Sequence, residues 1–327
     1  MSQFPELLAL CQGRQVYIQT HNFPDPDAIA SAFGLQRLLA AWDIPAVLCY
    51  NGKLDKLSAS RMLEAFRIEM RAYEDLRPQL RPDDYILCVD AQKHSGNITD
   101  FVGEEVACID HHPIFVPMEY RYCDIRPVGA CATIIARYYQ EMGREPDRDT
   151  ATALLYGLKI DTLQFTRGVT EEDTAMFHFL FPFSDQAALS RMERNNLEFS
   201  DLKAYGAAIE GIELYGTLGL SSIPFPCPDA LIAIISNFIL ALQEVEVAVV
   251  YARRPDGFKF SVRSEDPAVH AGVLTHEALE GLGTGGGHRE MAGGLILREN
   301  IPCLGAFPRD TIRQRFLDAL ARPAVEK

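Results

Sequence analysis

Short apolar runs alternate with longer segments of helical periodicity through the first half of the chain. The apolar runs lie at residues 16–20, 46–50, 85–89 and 106–109. The helical segments, in which apolar residues recur three or four positions apart, lie at 28–42, 59–68, 131–142 and 150–160. Strands and helices that alternate at these lengths predict an α/β fold with a doubly wound parallel sheet.

A second, smaller pattern follows a polar helical stretch at 171–211. Its strand-like runs lie at 216–223, 245–252, 259–262 and 293–297, and its helix-like segments lie at 230–242, 269–279 and 309–321. This order predicts a mixed α/β domain. We therefore expect domains at 1–195 and 212–327, joined by a helical linker at 196–211.

Acids and histidines collect where the apolar elements of the first half end. They are His21, Asp25 and Asp27 in one turn, and Asp90, Asp110, His111, His112 and Asp161 at the ends of later elements. In an open α/β sheet, ligands bind at the carboxyl ends of the strands. We expect these side chains to converge on one site.

Each group has a simpler explanation when it is taken alone. Asp27 fits the N-cap of the next helix, and Asp90 and Asp161 fit ordinary acids at the ends of elements. His112 is also compatible with a histidine that is merely hydrogen-bonded inside the fold. The set as a whole favours a functional site, because four separate segments carry such groups at corresponding places.

The charge of this set predicts metal ions. Four carboxylates in one cleft repel one another unless cations compensate them. We therefore expect two divalent cations. Carboxylate and imidazole ligands in mixture favour Mn²⁺, with Mg²⁺ as the alternative.

The motifs resemble those of the DHH phosphoesterase superfamily in order and rough spacing. They are HxxPDPDA at 21–28, Asp90, DHH at 110–112, and Asp161, followed by Arg263-Ser264 and the glycine-histidine segment 283–288 of a DHH-associated C-terminal domain. The resemblance spans nearly the whole chain. It is closest to the bacterial nanoRNases, which also dephosphorylate 3′-phosphoadenosine 5′-phosphate. One departure is Ala132-Thr133, where relatives commonly place a serine-threonine pair, so a polar contact beside the cleft is expected to be missing.

The resemblance implies a role for each residue. One metal would be held by His21, Asp25 and Asp90, and the other by Asp27, Asp90, His111 and Asp161. The two metals would activate the attacking water. We assign His112 to the phosphate, as a hydrogen-bond donor or as the acid for the leaving group, and Asp110 to orienting an imidazole. The expected substrate contacts of the C-terminal domain are Arg263, Ser264, Gly285, Gly286, Gly287 and His288.

The composition of the chain limits the classes of binding partner and the cellular compartment that we expect. A formal charge of −14 disfavours long nucleic acids, because neutralisation of phosphates by basic residues dominates that affinity. Eight cysteines without a CxxC pair indicate a reduced, cytoplasmic protein. No signal-peptide pattern is present, and the longest apolar stretch, 230–242, is too short to span a bilayer. A homodimer is compatible with the sequence.

We therefore expect a cytoplasmic, Mn²⁺-dependent phosphoesterase that hydrolyses short oligoribonucleotides (nanoRNA) and 3′-phosphoadenosine 5′-phosphate. One alternative is a phosphodiesterase for cyclic dinucleotides or their linear products. Another is a non-catalytic nucleotide sensor that retains the fold. Pyrophosphatase or polyphosphatase activity is disfavoured, because the arginine and glycine-histidine signatures point to the branch of the family that handles nucleotides.

Overall fold

The structure is a computed structural model that describes residues 4–52, 54, 57–114, 116–194 and 197–322. The helices are α1 (Phe4–Cys11), α2 (Pro26–Ala40), α3 (Leu57–Phe66), α4 (Tyr73–Leu76), α5 (Cys131–Glu141), α6 (Arg148–Asp161), α7 (Glu171–Leu180), α8 (Gln186–Arg194), α9 (Leu202–Glu210), α10 (Asp229–Leu240), α11 (Ala271–Leu279) and α12 (Pro308–Leu320).

The strands form two six-stranded sheets. They are β1 (Val16–Gln19), β2 (Ala46–Tyr50), β3 (Met70–Ala72), β4 (Tyr85–Val89), β5 (Glu104–Asp110), β6 (Tyr122–Ile125), β7 (Glu213–Tyr215), β8 (Leu218–Ile223), β9 (Val247–Arg254), β10 (Gly257–Ser264), β11 (Thr284–Gly287) and β12 (Met291–Leu297). The α/β fold class is confirmed.

The first sheet is parallel throughout and has the strand order β3-β2-β1-β4-β5-β6. Every residue of β1 and β4 is buried, as expected for strands covered on both faces. From β1 the chain continues to β2 on one side, while β4 pairs with β1 on the other side. This reversal is a topological switch point, where the carboxyl ends of the strands leave a crevice for a ligand.

The helices α2, α5 and α6 pack closely behind this crevice. Gly34 in α2 allows the close approach, since a Cβ there would lie 3.0 Å from both Ile135 and Leu154. Gly157 in α6 does the same, since its Cβ would lie 3.0 Å from the Cα of Asp27. The packing of three apolar helix faces thus fixes the positions of residues that the crevice uses.

The second sheet has the order β11-β12-β10-β9-β8-β7, and only its β8–β9 pair is parallel. It is therefore a mixed sheet, as expected. The strands β7 and β11 were not among the predicted elements, because β7 has three residues and β11 consists of a threonine and three glycines.

The chain divides into two compact units, Met1–Asn196 and Leu197–Lys327. The helix α9 lies in the second unit, where Ala204 and Ala208 join the apolar cluster of Ile223, Ile232 and Val250. The expected boundary at 195 and 196 lies outside the described residues. The assignment of a catalytic domain, a linker and a substrate domain stays a prediction.

Within the described ranges, no helix combines the length and the apolar composition needed to cross a bilayer.

Candidate metal centre

The loop between β1 and α2 carries the first three site residues. Asp25 is the N-cap of α2, where its Oδ1 accepts hydrogen bonds from the backbone N–H groups of Asp27 (3.1 Å) and Ala28 (3.2 Å). Pro26 occupies the first turn of the helix, as its fixed φ favours. The motif therefore does cap the helix, but through Asp25 and not through Asp27, which leaves Asp27 to point elsewhere.

Asp27 is buried and bonded to the start of α5. Its Oδ2 accepts from the N–H of Cys131 at 2.7 Å, and its Oδ1 accepts from the N–H of Ala132 at 3.0 Å. The positive end of the helix dipole stabilises a carboxylate at this place. The backbone N–H of Ala132 supplies this hydrogen bond, so no side-chain hydroxyl is needed at that position to hold Asp27.

Asp90 follows β4 at the switch point. It is 3% exposed and has a φ of 57°, a left-handed conformation that is uncommon for residues other than glycine and enriched for Asp. Its two carboxylate oxygens face different histidines. Oδ2 lies 3.6 Å from Nε2 of His21, and Oδ1 lies 3.3 Å from Nε2 of His111.

The environment of His111 is that of a metal ligand. Its Nδ1 lies 3.0 Å from the carbonyl oxygen of Val128, which can only accept, so Nδ1 carries a proton. Its Nε2 lies 3.3 Å from Asp90 Oδ1 and 3.4 Å from Asp161 Oδ2. Among the described residues, neither His111 Nε2 nor Asp90 Oδ1 has a hydrogen-bond partner, although both are buried. A neutral imidazole would place a lone pair against two carboxylates, so either a proton on Nε2 or a bound cation has to relieve the repulsion.

His21 repeats this arrangement at the other end of Asp90. Its Nδ1 lies 2.8 Å from the carbonyl oxygen of Asn22, so this nitrogen also carries a proton. Its Nε2 faces Asp25 Oδ1 at 3.8 Å and Asp90 Oδ2 at 3.6 Å. Each histidine thus presents one nitrogen to a pair of carboxylates.

All six predicted metal ligands come together in the first unit. Ligand atoms within 4.8 Å of one another form overlapping groups, which are His21, Asp25 and Asp90; Asp27, His111 and Asp161; and Asp90, Asp110, His111 and His112. The mixture of carboxylate oxygens and imidazole nitrogens suits Mn²⁺, and the buried atoms without partners give an ion a place to bind. The donor set fits two divalent ions, and Asp90 belongs to two of the three groups. Which residue binds which ion stays a prediction.

The pKa values show how the site compensates its charges without metal. Burial favours neutral imidazoles, but the carboxylates of Asp25 and Asp90 outweigh it and raise the pKa of His21 to about 9. The carboxylates around His111 raise its pKa to about 11 against the same effect of burial. Burial, followed by repulsion from Asp25, raises the pKa of Asp161 to about 6. Protons therefore neutralise the cluster when ions do not.

Asp110 holds His112 in position by a hydrogen bond. It is 1% exposed, and its Oδ1 accepts from Nδ1 of His112 at 2.9 Å and from the N–H of His111 at 2.8 Å. Burial opposes the charge of Asp110, but the hydrogen bond from His112 outweighs it and lowers the pKa of the carboxyl. The side chain of His112 is 35% exposed, so the ring is partly open to solvent.

Gln92 is a site residue that the sequence patterns did not indicate. It is buried, and its Nε2 donates to Asp110 Oδ2 at 2.8 Å and to the carbonyl oxygen of His112 at 3.0 Å. This amide therefore fixes the pair that Asp110 and His112 form. Its position two residues after Asp90, beyond the end of a buried strand, was the signal that could have found it.

The predicted substrate residues of the C-terminal part lie in the second unit. Arg263 is in β10, where its Nε donates to Asn237 Oδ1 at 2.7 Å and its Nη1 donates to the carbonyl oxygen of Val262 at 2.9 Å. Ser264 is 3% exposed, and its hydroxyl donates to the carbonyl oxygen of Val269. Both side chains have structural partners here, and their contact with a substrate stays a prediction.

The glycine segment forms the edge strand β11. Close packing accounts for two of its glycines, because a Cβ at Gly285 would lie 2.8 Å from Thr275 and one at Gly287 would lie 2.5 Å from the carbonyl oxygen of Met291. A Cβ at Gly286 would meet nothing within 4 Å. His288 follows the strand, and its N–H donates to Met291. An anion-binding role for this segment stays a prediction.

Residues 15–158 match the family described as "DHH family, N-terminal domain". This part of the chain is similar to a DHH domain. This domain contains five of the six predicted metal ligands, and Asp161 follows it by three residues. The resemblance read from the motifs is confirmed.

Curated relatives of this chain include an uncharacterised protein and probable pyrophosphatases. The uncharacterised protein MJ1633 of Methanocaldococcus jannaschii is 27% identical over 85% of this chain, which spans only 57% of that relative. A probable manganese-dependent inorganic pyrophosphatase of Bacillus cereus is 27% identical over 76% of this chain and 82% of its own length. The name of the Bacillus cereus relative describes a manganese-dependent hydrolase of pyrophosphate, which agrees with the expectation of a metal-dependent hydrolase.

The fold also agrees with a solved structure. The crystal structure of an exopolyphosphatase-related protein from Bacteroides fragilis matches with a TM-score of 0.75 and 18% identity, over 97% of this chain and 96% of that one. At this identity the match shows the shared two-unit fold. The expected closeness to nanoRNases stays a prediction.

Proposed function

We propose that this protein is a cytoplasmic, Mn²⁺-dependent phosphoesterase that hydrolyses short oligoribonucleotides and 3′-phosphoadenosine 5′-phosphate. The observation that carries the proposal is the placement of Asp90 between His21 and His111, with buried acceptor atoms that face one another. A single structural ion pair does not explain two imidazoles that each face two carboxylates, with Asp90 common to both. A pair of divalent ions would use all of these groups.

The metals supply general chemistry, and the chain directs it. Two bound divalent ions lower the pKa of a coordinated water and neutralise charge that develops on the phosphoryl group. The chain keeps Asp27 in place through two N–H groups of α5, so this carboxylate is oriented before an ion arrives. Preorganisation of this kind removes the cost of ordering a ligand during the reaction.

His112 is proposed to contact the phosphate or the leaving group. The carboxylate of Asp110 accepts from its Nδ1, so the ring is held in one orientation. Burial lowers the pKa of His112, but the hydrogen bond to Asp110 outweighs this effect, and the pKa is raised. The raised pKa favours the protonated imidazole, which suits a donor to an anionic oxygen.

The cellular setting and the size of the substrate belong to the same proposal. All the described cysteines are free thiols, as in a protein of a reducing compartment. The formal charge of −14 opposes binding of long polyanions, so a short substrate is favoured. A homodimer is compatible with the proposal, and sedimentation of the purified protein tests it.

A second candidate is inorganic pyrophosphatase activity, which the name of the Bacillus cereus relative favours. Purified protein with Mn²⁺ should be incubated with a dinucleotide, 3′-phosphoadenosine 5′-phosphate, a cyclic dinucleotide and pyrophosphate, and the kcat/KM values should be compared. We expect the first two to be hydrolysed fastest. Faster hydrolysis of pyrophosphate or of the cyclic dinucleotide would replace the proposed substrate. Nucleotide binding that persists in a chelator, without any hydrolysis, would favour the sensor.

A further inference from the structure

An aromatic side chain lies in the loop that carries His21 and Asp25 and has no role in the proposed chemistry. This residue, Phe23, is 55% exposed. Its φ is 58°, in the left-handed region that is strained for a residue other than glycine. Strained residues cluster at sites of function. A large apolar ring held in such a backbone conformation at the surface therefore calls for a ligand.

The ring is supported from one side. Gly52, with a φ of 89°, lies beneath it, and a Cβ at that position would be 2.9 Å from Cε1 of Phe23. Only glycine leaves room for the ring to rest there. The opposite loop thus provides a floor for the aromatic side chain.

The backbone around Phe23 is tied to two further loops. The N–H of Phe23 donates to the carbonyl oxygen of Asn51 at 3.1 Å, and the N–H of Asn22 donates to that of Asn97 at 2.6 Å. The side-chain amides of Asn22 and Asn51 both donate to the hydroxyl of Thr99, at 3.0 and 2.9 Å. These bonds fix the loop, so the ring is preorganised and loses little entropy when a ligand covers it.

We propose that Phe23 stacks on the nucleobase of the substrate and determines specificity for nucleotides over inorganic phosphates. The inference rests on the proposed phosphoesterase function and names the part of the substrate that lies beside the cleaved ester. Every nucleobase has a flat π-face, so stacking accepts different bases. Pyrophosphate and polyphosphate have no such face and gain nothing from the ring. Stacking on Phe23 would therefore favour nucleotide substrates over pyrophosphate, the substrate that the name of the Bacillus cereus relative gives.

The test compares substrates that differ only in the base. These are 3′-phosphoadenosine 5′-phosphate and ribose 3,5-bisphosphate, each assayed with Mn²⁺ and with the wild type, Phe23→Ala and Phe23→Trp. We expect Phe23→Ala to lower kcat/KM for the nucleotide by about 5- to 150-fold, the size of one base stacked on an aromatic ring. The base-free substrate should change less than about twofold, and Phe23→Trp should retain activity on the nucleotide.

Phe181→Ala is the matched control. Phe181 lies just after α7 in the same unit and is 47% exposed. Its replacement therefore removes a ring of similar exposure from a different place. Equal losses on both substrates, no loss on either, or the same loss in Phe181→Ala would overturn the inference. Hydrolysis of pyrophosphate without hydrolysis of nucleotides would overturn it as well.

Failure of the proposed function is distinguishable from failure of the stacking. If the wild type with Mn²⁺ hydrolyses no phosphoester, the proposed function is wrong. Titration calorimetry of 3′-phosphoadenosine 5′-phosphate binding then decides the role of Phe23. Weaker binding to Phe23→Ala than to the wild type would support stacking. Unchanged binding, or no binding to either protein, would refute it.

Discussion

Replacing Asp173 with alanine should weaken Mn²⁺ binding, although Asp173 is not one of the predicted ligands. This carboxylate is fully buried and accepts four hydrogen bonds. Its Oδ2 accepts from the N–H of Gly129 (2.9 Å) and from the N–H and hydroxyl of Thr170 (both 2.7 Å), and its Oδ1 accepts from the hydroxyl of Thr133 (2.6 Å). It therefore joins the start of α7 to the segment that begins α5, whose N–H groups hold Asp27.

The magnitude follows from the donors that would be left. The two hydroxyls can rotate toward other acceptors, but the N–H groups of Gly129 and Thr170 cannot. The N–H of Gly129 is buried and that of Thr170 is partly buried. A buried donor without a partner costs about 1–3 kcal/mol, so Asp173→Ala should lower the free energy of unfolding by about 1–3 kcal/mol, with a smaller addition from Thr170. The displaced start of α5 should also lower Mn²⁺ affinity by about 10- to 100-fold, the usual effect of losing a residue that orients a metal ligand.

Asp147→Ala provides the matched control. Asp147 also caps a helix of the same unit, accepting from the N–H of Thr150 at 2.9 Å, but its side chain is 44% exposed and pairs with Arg37. Its loss should cost about 0.5–2 kcal/mol and leave Mn²⁺ affinity unchanged. Urea unfolding in chelator measures stability, and titration calorimetry with Mn²⁺ measures affinity.

The reasoning is refuted if Asp173→Ala loses stability but binds Mn²⁺ as tightly as the wild type. It is also refuted if Asp147→Ala weakens Mn²⁺ binding equally. Thr133→Val covers the case in which Asp173→Ala does not fold. It removes one hydrogen bond to Asp173 and should change both quantities in the same direction by less.

Three further outcomes are expected. Mn²⁺ binding at pH 7 should release at least one proton per chain, because His21 (pKa about 9) and His111 (pKa about 11) are protonated without metal and must bind the ion as neutral imidazoles. Calorimetry in buffers of different ionisation enthalpy measures the number of protons released, and a value of zero would contradict the prediction. Gly157→Ala should weaken Mn²⁺ binding several-fold, since its Cβ would lie 3.1 Å from Asp27 Oδ1, while a gain in helix propensity of roughly 1 kcal/mol limits the loss of stability in urea. Gln164→Gly should raise the free energy of unfolding by roughly 0.5–1 kcal/mol, because relief of a left-handed φ of 58° outweighs the added freedom of the unfolded chain; a lower midpoint in urea would refute this.

The centre of the first sheet could be predicted because each of its strands contains a short apolar run. The predicted runs at 16–20, 46–50, 85–89 and 106–109 correspond to β1, β2, β4 and β5. The edge strands β3 and β6 were missed. The strand β3 has three residues, none of them buried, and β6 has four residues, of which two are buried. Short edge strands carry too little hydrophobic pattern to be told from loops.

The metal cluster could be predicted as a set of residue types at the ends of elements, but its internal bonding could not. Sequence indicates that Asp27 and Asp90 lie near one crevice. It does not show that the N–H groups of α5 hold Asp27, because backbone donors carry no sequence signature. The roles of Gln92 and Asp173 depend on the packing of distant segments, and each looks like an ordinary polar residue in its own stretch of chain.

The stoichiometry of Mn²⁺ tests the central claim most directly. Equilibrium dialysis followed by elemental analysis should give two Mn²⁺ ions per wild-type chain, and Asp90→Asn should lose affinity for both, since the carboxylate of Asp90 faces both His21 and His111. The histidine control His276→Gln, in α11 of the second unit, should retain both ions. Binding of no Mn²⁺ or of one ion by the wild type, or of two ions with unchanged affinity by Asp90→Asn, would contradict a two-metal site built around Asp90.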